Sequence, residues 1–366
     1  MPATRRPKYS ILLPTHNRAD VLPFALRSVL AQTFEDFELL VVGDGCTDRT
    51  AEVVRGFDDA RLRWFDLPKA PDFGYANRNV ALREAAGELV AFMAHDDLWL
   101  PDHLELLARR LDESGAEIAY SLPLWVIPRG MVAPLVFNLH HTDTLSRFVK
   151  REQNGIPAGC VVHRRECLDR YGYWDASLPR WGDLDMWARI IEGGGRDNFT
   201  YLPEPTCLHF RANWRTGADA GPPGLQVWEA LHALDGFMPD GLKVDVPDGV
   251  TEQEAFWGKI EENPRGWTTE LRAAAHAAVE RRVRLSDEMI LSLLGAGGAE
   301  RPGAREMFEA YARTGRFGLP SVELAEGSLA GKLLRRTHRV LNTLAPPRTL
   351  RGRSWLRVKE LLRRTL

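Results

Sequence analysis

Cysteine is scarce and unpatterned in this 366-residue chain. Cys46, Cys160, Cys167 and Cys207 form no CxxC pair, which argues against a zinc ribbon or a thioredoxin-type redox site. Free thiols of this kind suit a reducing compartment. No apolar stretch approaches the roughly 18–20 residues that a membrane helix needs. Charge of one sign is also lacking: the formal net charge is −2, too small for a chain that coats nucleic acid. The basic start, Met1-Pro-Ala-Thr-Arg-Arg-Pro-Lys8, leads into only a few apolar residues and does not read as a signal peptide. The sequon Asn198-Phe199-Thr200 is therefore not expected to meet a glycosylation machinery. With 44% hydrophobic and 27% charged residues the composition is that of an ordinary globular protein. The length predicts two domains, or one large domain with an appendage.

The first half alternates strand and helix patterns. Residues 9–13 read as a buried strand stopped by Pro14, and 21–32 as a helix with Asp20 as N-cap. A strand over 37–42 ends in Gly43-Asp44-Gly45, followed by a helix over 50–57, a strand over 62–65, a helix over 74–86 and a strand over 89–93. This order predicts an α/β sheet wound through right-handed crossovers. The last strand runs into His95-Asp96-Asp97, at the carboxyl end where open α/β sheets bind ligands. Two adjacent carboxylates there read either as a site for a divalent cation shared with a phosphate, or as a solvated turn capping the next helix. Gly43-Asp44-Gly45 is not a dinucleotide-binding turn, because Asp48 takes the place of the third glycine. Asp44 is suited to accept hydrogen bonds from a base N–H or a ribose hydroxyl, or to form an Asx-turn.

Five segments together are more specific than any one of them. In chain order they are Ile11-Leu-Leu-Pro-Thr-His-Asn-Arg18, Leu40-Val-Val-Gly-Asp-Gly-Cys-Thr-Asp48, Gly74-Tyr-Ala-Asn-Arg-Asn79, Ala86-Gly-Glu-Leu-Val-Ala-Phe-Met-Ala-His-Asp-Asp97 and Gly182-Asp-Leu-Asp-Met-Trp-Ala-Arg189. Over about residues 8–215 this set resembles the family-2 glycosyltransferases. The resemblance implies a GT-A fold, with a mixed, mostly parallel sheet flanked by helices and a helical region after it. It implies that Pro14, Thr15 and Asn17 line the base-binding loop, that Asp44 holds the base or ribose, and that Arg78 and His95 also contact the nucleotide. Asp96 matches the last aspartate of the family's D-x-D motif, the metal-binding one, with Asp97 beside it as a further metal ligand. Asp183 matches the catalytic base. His209 stands where related transferases carry a metal- or phosphate-binding histidine, or else is a strand-end histidine bonded to a carbonyl. Arg211 is suited to a diphosphate contact. The chain departs from the family pattern where Gly43 replaces an aspartate, Ala94 replaces the first aspartate of D-x-D, and Gly182 replaces a glutamate.

The chemistry implied is a metal-assisted (Mn²⁺ or Mg²⁺) single displacement, in which a sugar moves from a nucleotide-diphosphate donor, expected to be a UDP-sugar, to an acceptor hydroxyl with inversion. A glycoside hydrolase would instead need two carboxylates flanking the scissile bond. A nucleotidyltransferase would need a Gly-rich basic loop where Pro14-Thr-His-Asn17 stands. A non-catalytic sugar-nucleotide-binding or scaffold protein is the alternative that Gly43 and Ala94 raise. Trp181, in the loop before Asp183, is the acceptor candidate, whereas Trp187 falls on a helix and reads as core. The chain divides into a transferase domain (1–215), a linker (216–250), a helical region (251–330) and a basic tail (331–366). In that tail Trp355, Val358, Leu361, Leu362 and Leu366 alternate with many Arg and Lys at helical spacing. It reads as an amphipathic helix for an anionic membrane surface, or as a helix docked on its own domain. The expected location is cytoplasmic and peripheral to the inner face of the membrane, with a saccharide or lipid-linked acceptor and no nucleic-acid partner.

Overall fold

Near-continuous apolar runs make buried parallel strands, and the first half of the chain contains three of them, with a half-exposed fourth at the edge. The computed structural model describes residues 6–195, 197–211, 224–233 and 236–283. β1 (Tyr9–Thr15) leads through α1 (Leu22–Leu30) to β2 (Phe37–Asp44), then through α2 (Thr50–Arg55) to β3 (Leu62–Leu67). α3 (Tyr75–Arg83) returns the chain to β4 (Leu89–Phe92), so that the parallel order is β3-β2-β1-β4. The register sets Thr15 of β1 beside Gly43 of β2, which brings the loops after the two strands to one edge. α1 is entered through Val21 without any side-chain cap, contrary to the expectation for Asp20. Pro23 in its first turn lacks one of the N–H groups that a cap would satisfy.

Beyond β4 the sheet becomes mixed. β5 (Leu98–Trp99) precedes α4 (His103–Ser114), and β6 (Ile118–Ile127) pairs antiparallel with β7 (Met131–Pro134). After α5 (Thr142–Val149), β8 (Val161–Arg164) bridges β4 and β6, antiparallel to both. α6 (Glu166–Tyr171) and α7 (Gly182–Gly194) lead to β9 (Phe199–Phe210), which runs parallel to β6 and antiparallel to β5. The result is a nine-stranded sheet flanked by helices, the mixed and mostly parallel α/β architecture expected. Trp187 on α7 is buried in its core.

The stretch 216–250 is not wholly a linker. α8 (Gly224–His232) buries Leu225, Val227, Trp228 and Leu231 within it. Its short apolar face is masked in sequence by the Gly, Pro and Asp on either side. α9 (Glu252–Glu262), capped by Thr251 Oγ1 accepting from the Glu254 amide at 3.1 Å, and α10 (Pro264–Val283) follow. Both pack directly on the sheet. Arg272 clamps Asp102 through two hydrogen bonds of 2.7 Å, and Phe256 meets Phe210 edge to face at 5.4 Å. Residues 284–330 of the helical region and the whole tail 331–366 lie outside the described residues. Among the described residues no helix is long and apolar enough to cross a membrane.

Two core histidines make the fold acid-sensitive. His103 lies on the Trp99 ring at 4.1 Å, and its Nδ1 is 2.8 Å from Thr206 Oγ1. The Thr206 hydroxyl donates to Ser121, so it accepts from the histidine. Burial pushes His103 down to about 3 and His163 down to about 4. The unfolded chain therefore binds the extra protons, and stability is lost as pH falls from about 6.5 toward 4. At pH 5 the cost is about 2 kcal/mol per ring. The melting temperature should fall by roughly 10 °C between pH 7 and pH 5, and a flat profile in thermal denaturation would contradict this assignment.

Candidate active site

The carboxyl ends of β1, β2 and β4 carry Pro14 and Thr15, Asp44, and His95 to Asp97 respectively. Asp44 is buried and holds three donors. Its Oδ1 accepts from the Ala70 amide at 2.8 Å and from Asn77 Nδ2 at 2.7 Å, and its Oδ2 meets Lys69 Nζ at 2.8 Å. It thus ties the segment from Lys69 to Asn77 against the strand end. Asn17 does the same for the next loop. Its Oδ1 accepts from the Thr47 and Asp48 amides at 2.8 and 3.3 Å. Thr15 Oγ1 is buried without a hydrogen-bond partner, and the Pro14 carbonyl is 3.3 Å from His95 Nδ1.

The missing carboxylate at Gly43 has a steric cause. A Cβ built there would lie 2.6 Å from Cζ2 of Trp64, whose indole covers the end of β2. Trp64 comes from the neighbouring β3, paired with Val41. The ring occupies the space that a longer residue 43 would need.

Asp96 and Asp97 face different surroundings. Asp96 is half-buried, and its carbonyl accepts from Gln253 Nε2 of α9 at 3.2 Å. His95 Nε2 is 4.0 Å from its Oδ1. Asp97 is 1% exposed, and both its oxygens lie 2.9 Å from His209 Nδ1. Its Oδ1 also accepts from the Phe210 amide at 3.1 Å. Burial raises its pKa, while His209 pulls it back. Sequence reading named both as metal ligands; the structure brings them together as partners of each other. A carboxylate bonded to one imidazole nitrogen is the usual device for orienting a ligating histidine. Among the described residues no group of three or more His, Cys, Asp or Glu is arranged to hold a metal ion. One or two protein carboxylates completed by substrate phosphates is, however, an ordinary Mg²⁺ arrangement, and Asp96 fits it. Arg211 is engaged by Glu229 of α8 at 2.8 Å.

Asp183 stands in the first turn of α7, with its Oδ1 accepting from the Leu184 amide at 2.8 Å. The turn into α7 passes through Trp181, which has φ 62° and is 47% exposed, with the Arg180 guanidinium 4.9 Å above its ring. A bulky residue held in the left-handed region is uncommon and marks a constrained turn. Arg78 of α3 is the remaining candidate on this side of the sheet. Its guanidinium rests 4.9 Å from the centroids of both Tyr75 and Trp174. Burial lowers its pKa, and the nearby Tyr75, Asp183 and Asp44 oppose that shift.

Four residues of this site escape a motif reading: Lys69, Asn77, Trp64 and Tyr75. Asn77 and Tyr75 sit inside the Gly74–Asn79 segment, but Tyr75 acts on Gly182 across the chain, as Lys69 does on Asp44 and Trp64 on Gly43; the only local hints for these three were the glycines packed against them, Gly182, Gly45 and Gly43.

Residues 10–172 match the sequence profile of Glycosyl transferase family 2, a stretch that stops short of Asp183. An uncharacterised glycosyltransferase of Rickettsia typhi is 30% identical over 247 residues, covering 64% of this chain and 73% of that protein. The UDP-Glc:alpha-D-GlcNAc-diphosphoundecaprenol beta-1,3-glucosyltransferase of Escherichia coli is 36% identical over 111 residues, 30% of this chain and 44% of that one. The GalNAc(5)-diNAcBac-PP-undecaprenol beta-1,3-glucosyltransferase of Campylobacter jejuni is 34% identical over 114 residues, 31% of this chain and 37% of that one. The aligned part thus spans less than half the length of the two named glucosyltransferases.

Proposed function

The chain belongs to glycosyl transferase family 2, and we propose that it moves a sugar from a nucleotide-diphosphate donor, a UDP-sugar, to an acceptor hydroxyl with inversion. The observation that supports this reading is the short segment that links the three residues: Gly74 packs on the Asp44 carboxylate, the Arg78 guanidinium lies 4.9 Å from the Tyr75 ring, and the Tyr75 hydroxyl accepts from the Gly182 amide beside Asp183. On this reading Asp44 serves the nucleoside, Arg78 the phosphates and Asp183 the acceptor. Asp183 takes the proton from the acceptor hydroxyl as that oxygen attacks the anomeric carbon. The bond from that carbon to the diphosphate oxygen breaks on the opposite face, and the nucleoside diphosphate leaves. Arg78, on its aromatic support, faces the negative charge of the leaving group. Asp96 would hold Mn²⁺ or Mg²⁺, with His209 oriented by Asp97, and the ion would supply Lewis-acid stabilisation of the departing diphosphate. Trp181 offers an exposed ring beside Asp183 for the acceptor sugar.

Both named glucosyltransferase relatives act on undecaprenol-linked diphosphates, which supports a lipid-linked acceptor. The cationic sequence of 331–366 suits an anionic lipid surface near such an acceptor. The test is transfer from UDP-glucose to GlcNAc-diphosphoundecaprenol with Mn²⁺, with the product linkage read by NMR. A β-linked product is expected from the α-linked donor. An α-linked product would overturn inversion, and no transfer by a protein that binds UDP would favour the scaffold alternative.

A further inference from the structure

We propose that Tyr75 is a positioning residue for the base. This rests on the reading of Asp183 as that base. Tyr75 opens α3, directly after Gly74, and is 5% exposed. Its ring is held in place from several sides. Trp174 stacks on it at 5.2 Å with an interplanar angle of 18°, Phe73 lies 6.3 Å away, and the Arg78 guanidinium covers it at 4.9 Å. Trp174 is itself fixed by Asn79, which donates to its carbonyl at 2.7 Å and accepts from its amide at 3.1 Å. From this anchored position the Tyr75 hydroxyl accepts a hydrogen bond of 2.9 Å from the Gly182 amide.

That amide is one of the first-turn donors of α7 that no helical carbonyl can satisfy. The residue next to it is Asp183. A phenol therefore serves as the cap of the helix that carries the base, from a segment 107 positions away in the chain. The ring also determines what residue 182 can be. A Cβ there would lie 2.7 to 2.9 Å from three of the ring carbons, so only glycine lets the backbone approach the phenol. On its other side Tyr75 adjoins Gly74, which packs against the Asp44 carboxylate. The same short segment touches the residue assigned to the nucleoside and the turn that aims the base. A donor that settles against Asp44 and Arg78 would also fix the reference point from which Asp183 is placed.

Tyr75→Phe keeps the ring and removes only the hydroxyl. Amide exchange at Gly182 should accelerate at least tenfold. With UDP-glucose as the donor probe, kcat should fall about tenfold while the donor KM stays within twofold, since small displacements of a catalytic group are costly to rate. In Asp183→Glu, whose carboxylate is already moved by a methylene, the second substitution should cost less than threefold. Unchanged Gly182 exchange, a raised KM with unchanged kcat, or a full tenfold loss in the Asp183→Glu background would each overturn the proposal. Full turnover in Asp183→Asn is a different outcome, because it removes the base assignment itself.

Discussion

Asp183→Asn should reduce sugar transfer by roughly 10²–10⁴-fold while leaving nucleotide affinity within twofold. An acceptor hydroxyl is a poor nucleophile, and an amide cannot take its proton as the new bond forms. The substitution is nearly isosteric, and the amide oxygen can still accept the Leu184 N–H that Asp183 Oδ1 now accepts at 2.8 Å. The helix start should therefore persist, and the effect should fall on kcat. Steady-state transfer kinetics together with calorimetric titration of UDP separate the two quantities. Wild-type turnover would remove Asp183 from the chemistry, and lost UDP binding would move it to the donor site.

Gly43→Asp restores the residue that family members usually have, yet it should destabilise this chain. The added Cβ would meet the Trp64 ring at 2.6 Å, far inside contact distance. Overpacking of this kind costs about 1–3 kcal/mol. A drop of about 1–3 kcal/mol in chemical denaturation is expected, with partial recovery in Gly43→Asp/Trp64→Ala. Equal or greater stability in the single variant would mean that Trp64 does not occupy that space. The pair has a broader meaning. At Gly43 and again at Gly182 the side chain that the family pattern leads one to expect is displaced by an aromatic ring from another segment. These departures are accommodated in the packing around them, and neither leaves an empty space.

What could be read from sequence follows from which interactions are local. β1, β2 and β4 were legible because buried parallel strands appear as apolar runs, and the helices between them because crossover helices appear as 3.6-residue periods; the half-exposed edge strand β3 was found by its place in that alternation. The mixed half was not. β9 contains Pro203 and Pro205, which ordinarily argue against an inner strand. The chain accommodates them through register shifts against β6 near Ser121 to Pro123. β5 has two residues and no pattern to detect. At the site, Asp44, Asp96 and Asp183 were singled out by the five-segment resemblance; Asp44 ends β2 and Asp183 lies in the first turn of α7. Their partners were not. Lys69 on Asp44, His209 on Asp97 and Tyr75 on Gly182 are joined by tertiary contacts, and only His209 stood out beforehand.

The central claim is a site for a nucleoside diphosphate completed by a divalent ion. Thermal denaturation of the full chain with UDP, GDP, CDP or dTDP, each with and without Mn²⁺, tests it most directly. One nucleotide, expected to be UDP, should raise the melting temperature, and more so with Mn²⁺. Saturation at about 100 times the dissociation constant corresponds to roughly 2.7 kcal/mol of stabilisation. No shift with any of the four, in the presence or absence of Mn²⁺, would contradict the account.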